Sequence, residues 1–150
     1  LAVGGGLGQE LGWRGFLQSA LESGRSVVAA SLMLGAIWAL WSAPVFLFPS
    51  SGRAGGVAPF LLSSALYVAY ALIFARVLHG AGGSLLVVAV LHASNNAALP
   101  AWQAAVPSLS GSMGVALVHA VYVLLLALAA LFVRIGTDAG TGRIALRRLE

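Results

Sequence analysis

From Val27 to Phe48 the chain carries no charge, and as a helix that run would extend roughly 33 Å, enough to cross the hydrocarbon core of a bilayer. Further uncharged runs cover 57 to 75, ended by Arg76, then 84 to 99 and 113 to 133. With the stretch 1 to 21 they make five helical spans. Hydrophobic residues make up 60% of the sequence and charged residues 8%, proportions far from those of a water-soluble domain. The expected fold class is an all-α membrane protein, a polytopic bundle of about five transmembrane helices enclosing a polar cavity. Connections at 22 to 26, 49 to 56, 76 to 83 and 100 to 112 are rich in glycine, serine and proline, as chain breakers require.

The charges orient this bundle. Every basic residue is an arginine, and none sits in a block resembling a nucleic-acid patch, so the net charge of +4 argues for headgroup contact and for no nucleic-acid partner. Five spans place Arg25, Arg76, Arg134, Arg143, Arg147 and Arg148 on one side and Arg53 on the other. The positive-inside rule then puts the C-terminus in the cytoplasm of a multi-pass protein of the cell inner (plasma) membrane. Residues 1–133 form the expected transmembrane core and 134–150 a polar, basic cytoplasmic tail. Trp102 suits the outer interface. Residues 1 to 8 read as the interior of a hydrophobic segment, so sequence is expected upstream of them. The absence of cysteine excludes disulfides, thiolate metal sites and thiol nucleophiles.

Polar side chains inside apolar spans call for a reason, because lipid satisfies none of them. Glu10 and Arg14 stand four apart, on one face of a helix, where each partly neutralises the other. His92 and Asn96 repeat that spacing on the fourth span. Gly4, Gly5, Gly6 and Gly8 read as allowing close helix approach, and Pro44 as kinking the second span and freeing the Leu40 carbonyl.

Three motifs in order, Gln9-Glu10-x-x-x-Arg14, then Trp38-x-x-x-Ser42 followed by Pro44, then His92-x-x-x-Asn96, resemble those of the CAAX prenyl endoprotease and bacteriocin-processing family of intramembrane proteases. The resemblance covers residues 4 to 99. It implies a membrane endopeptidase acting on a peptide, prenylated or bacteriocin-like protein substrate, with membrane lipids as the other partner. In the family's pattern two adjacent glutamates precede the arginine and a histidine ends the second motif; the first glutamate and that histidine activate water, while the third motif's histidine and asparagine stabilise the oxyanion.

The resemblance thus makes Gln9, Glu10, Arg14, Ser42, His92 and Asn96 the candidate site. Two positions depart from it. Gln9 stands for the first glutamate and Ser42 for the second-motif histidine, and a neutral amide is no general base. Loss of a base that supplies about 10²–10⁴-fold should leave a catalytically impaired protein. Glu10 is a disfavoured substitute base, since Arg14 lowers its basicity. A Ser42 nucleophile served by His92 is disfavoured because no group is seen to orient the histidine, and Ser42 is expected to bond back to the Trp38 carbonyl. The family is often described as metalloproteases, but zinc needs about three protein ligands. Glu10, His92 and His119 are the only candidates, and His119 reads as a hydrogen-bonded core histidine, so no cofactor is expected. The leading alternative function is a non-catalytic membrane scaffold that binds peptides or lipidated partners; a permease fragment is less favoured, because the motifs already account for the buried polar groups.

Overall fold

The computed structural model describes residues 2–48, 56–107, 117, 120–125 and 127–128. Among them the elements are all helical: α1 (Ala2–Glu10), a π-helical stretch π1 (Leu11–Gln18), α2 (Ser19–Glu22), α3 (Val27–Leu47), α4 (Val57–Gly80) and α5 (Leu85–Ala105). Three helices are long and apolar enough to cross a membrane, namely α3, α4 and the Leu85–Trp102 part of α5. The chain is an all-α membrane protein.

The first expected span is not one uniform helix. Between Glu10 and Ser19 the backbone widens from α to π geometry, a rare form frequent at functional sites. Gly12 and Gly15 lie in this stretch, and glycine holds α geometry less firmly than any residue but proline. The Ser19 hydroxyl donates to the Arg14 carbonyl at 3.5 Å, which supplies that oxygen with a side-chain donor.

Helix α3 starts where Ser26, in extended conformation, accepts from the Ala29 amide at 3.2 Å, an N-cap. It runs past Pro44 to Leu47. Apolar residues surround α3, so hydrophobicity does not choose its inward face. Size does: the buried residues are Ala30, Ser31, Leu34, Gly35, Trp38 and Ala39, a mostly small-residue stripe of the kind that lets membrane helices approach closely. At Gly35 a Cβ would lie 2.6 Å from the Val68 Cα of α4. Leu40, Trp41 and Phe48 point outward, as lipid-facing groups do.

Two connections are shorter than the sequence suggests. Helix α4 continues past Arg76 and closes in a Schellman turn, with Gly83 donating to the Leu78 carbonyl at 2.8 Å and Gly82 to that of His79 at 3.2 Å. Both glycines take positive φ, 64° and 83°, which favours a residue without a Cβ. Helix α5 continues past Pro100 to Ala105, because membrane helices re-satisfy the backbone groups a proline frees.

Two compact units are distinguished, Leu11–Ala75, and Leu1–Glu10 with Arg76–Glu150. Within the second, α1 packs on α5: a Cβ on Gly6 would lie 3.0 Å from the Ala93 nitrogen and 3.2 Å from the Ala89 carbonyl oxygen. Glycine at position 6 thus does what the sequence assigns to it. Of the fifth expected span, 113 to 133, only residues 117, 120–125 and 127–128 are described, and these are helical. His119 and the tail 134–150 lie outside the described residues.

Candidate active site

In the unit formed by α1 and α5, the close approach at Gly6 brings Glu10 to His92. The imidazole Nδ1 lies 2.5 Å from Glu10 Oε1 across 82 positions of sequence. Both groups are sealed from solvent, Glu10 at 0% and His92 at 2% exposure. A carboxyl group in such a place needs a hydrogen-bond partner to offset its desolvation, and the imidazole nitrogen is one. Sequence reading pairs Glu10 with Arg14 and finds nothing to orient His92; the structure sets the His92 ring against Glu10. Asn96, one turn beyond His92 on α5, is exposed. Gln9 is exposed as well. It lies about 100° around the helix from Glu10, and its side chain does not share Glu10's burial.

In the other unit, Arg14 of π1 is 1% exposed. Its guanidinium carbon lies 4.9 Å from the ring centroid of Trp38 and 4.9 Å from that of Phe74. A desolvated cation held over two ring faces gains about 2 kcal/mol or more at each good contact. The rings form a continuous cluster: Trp13 lies 6.1 Å from Trp38 and 6.3 Å from Trp41, Tyr67 stacks on Trp38 at 5.1 Å, and Tyr70 lies 5.8 Å from Phe74. Trp38, the motif residue, is its centre. Ser42, one turn on, is half-buried. The expected back-bond to the carbonyl four residues earlier occurs instead at Ser31, Ser64 and Ser94.

Sequence reading passes over Gln18. It is buried at 1% exposure and its amide nitrogen donates to Glu22 Oε1 at 2.5 Å and to the Ser31 hydroxyl at 3.2 Å, tying π1 to α2 and α3. The signal was present: Glu10, Arg14 and Gln18 are polar at intervals of four, and all three are buried.

Among the described residues no group of three His, Cys, Asp or Glu side chains is placed to hold a metal, and a zinc site requires about three protein ligands.

No curated protein and no solved structure matches the chain. A family description does: type II CAAX prenyl endopeptidase, Rce1-like, over residues 1–98. That span contains α1 through most of α5, with the Glu10–His92 pair, the Arg14 cluster, Gln9, Ser42 and Asn96, so the three-motif likeness and the family match coincide, and the chain belongs to the Rce1-like type II CAAX prenyl endopeptidase family.

Proposed function

We propose that this chain is an intramembrane endopeptidase-like protein of the CAAX type whose hydrolytic power, carried by Glu10, Arg14, His92 and Asn96, is reduced by Gln9 and Ser42. The substrate is a peptide, prenylated or bacteriocin-like, cut in or at the inner (plasma) membrane, with the C-terminus in the cytoplasm. The observation that carries the reading is the buried Glu10–His92 bond at 2.5 Å in a chain that belongs to this endopeptidase family. Reduced power follows from chemistry: an amide at position 9 and a hydroxyl at position 42 do not take a proton from water near neutral pH.

The test is cleavage of an internally quenched prenylated peptide by the full chain in lipid nanodiscs, beside the double variant Gln9→Glu, Ser42→His. The double variant is expected to raise kcat by about 10²–10⁴-fold. Equal rates in both would show that positions 9 and 42 do not hold the missing base. A scaffold that binds without cutting predicts association of the peptide with both proteins and cleavage by neither.

A further inference from the structure

Arg14 is buried at 1% exposure with its guanidinium carbon 4.9 Å from two ring centroids, yet the backbone that carries it has little hold on its direction. It sits in a π-helical stretch between Gly12 and Gly15, and glycine keeps helical geometry less firmly than any residue but proline. Gln18 is placed to set the rotation of π1 against α3. Four positions beyond Arg14 and equally buried, its amide nitrogen reaches the Ser31 hydroxyl of α3 at 3.2 Å and Glu22 Oε1 of α2 at 2.5 Å. Ser31 gives its own proton to the Val27 carbonyl at 2.7 Å, so it offers the amide only lone pairs, and the nitrogen is the end that faces it. We infer that Gln18 is the positioning residue of Arg14: the Gln18–Ser31 bond fixes the rotation of π1 and thereby holds the guanidinium over Trp38 and Phe74. The inference rests on the endopeptidase reading above, in which Arg14 belongs to the working site, and adds to that site a residue outside the three motifs.

The contacts between π1 and α3 keep one register. From Gln18 through Arg14 to Trp13, the partners on α3 advance from Ser31 through Trp38 to Trp41, so the two elements run antiparallel. Ser31 and Trp38, seven positions apart, lie two turns apart on one face of α3, and both are buried there. Rigid helix thus couples a polar anchor at one end of this strip to the cation–π contact at the next. Rotation of π1 by one position would break the first and swing Arg14 away from the rings, whose attraction for a cation holds within about 6 Å of the centroid. An apolar side chain at position 18 would pack without specifying a register. A buried amide is satisfied in one rotation only, as a buried asparagine fixes register in a coiled coil.

The experiment uses nuclear magnetic resonance of the full chain in nanodiscs, with isotope-labelled arginine, glutamine and serine. In the unaltered protein the Gln18 side-chain amide is expected to show a through-space contact to Ser31. The Arg14 δ-methylene, assigned by its loss in Arg14→Lys, should be shifted upfield by the ring currents of Trp38 and Phe74. Absence of the Gln18–Ser31 contact overturns the inference without any variant having to fold. Gln18→Met, close in volume, and Ser31→Ala should each move the Arg14 signals toward those of free arginine, and the two together no further than either alone. Ser64→Ala, which removes a hydroxyl bonded within α4, should leave them in place. Arg14 signals that stay put in Gln18→Met, or that move equally in Ser64→Ala, overturn the inference. On the quenched prenylated peptide, Gln18→Met should lower kcat about two- to ten-fold, the rate equivalent of one hydrogen bond, with KM unchanged. Displaced Arg14 signals with unchanged kcat overturn the part given to Gln18 in the reaction and leave the endopeptidase reading standing. No cleavage by any form, the Gln9→Glu, Ser42→His variant included, with Arg14 signals that respond as expected, supports the lock and removes the endopeptidase reading.

Discussion

Gln9 and Glu10 are adjacent yet differ completely in surroundings, one exposed and the other at 0% exposure, because one helical position turns a side chain by about 100°. Burial without the right partner would penalise Glu10 heavily; His92 is there to meet it. Arg14 also rests on aromatic rings. Its guanidinium is flat and weakly hydrated, so it lies against Trp38 and Phe74 where an ammonium, compact and strongly hydrated, would not. Arg14→Lys, which retains the charge, is therefore expected to cost about 1–2 kcal/mol, read as a lowered midpoint in SDS titration of the purified protein. If Lys at this position leaves the midpoint unchanged, the two ring contacts contribute nothing beyond charge.

At the scale of elements, helices that are apolar on every side have to choose a face by shape. Helix α3 presents Ala30, Ser31, Gly35 and Ala39 inward and Leu40 and Trp41 outward, a choice that hydropathy does not make. Gly35→Ala puts a methyl 2.6 Å from a backbone atom of α4, and backbone cannot step aside as a side-chain tip can. We expect a loss of about 1–3 kcal/mol, with the heat-denaturation midpoint falling accordingly; a variant as stable as the parent would mean that α3 and α4 stand farther apart than described. The π1 stretch is the element least visible in sequence. A helical pattern is legible there, but the shift from α to π geometry over Leu11–Gln18 shows only in coordinates. Gln18, which ties π1 to Ser31, was legible as the third polar residue in a four-residue series.

For the whole molecule, the arginine distribution makes a statement about topology that chemistry can check. The sequence has no cysteine, so single cysteines report cleanly. With a cytoplasmic C-terminus, a cysteine replacing Ser51, beside Arg53, should react with a membrane-impermeant maleimide added outside intact cells. A cysteine replacing Thr141 should react only after permeabilisation. The reverse pattern would invert the assigned orientation, and labelling of both from outside would show that the number of spans between them is even.

The sequence by itself determined the solvent this protein folds in, its helical class, the approximate extent of its spans and the three motifs that mark its family. These are local properties, set by runs of uncharged residues and by side chains four apart. Only tertiary structure decided that Glu10 meets a histidine 82 positions away, that Arg14 lies against ring faces, and that small residues define the packed stripe of α3. Such choices depend on how far each helix is rotated and how closely it meets its neighbour, and in a chain where nearly every face is apolar no periodicity in one segment records the orientation of another.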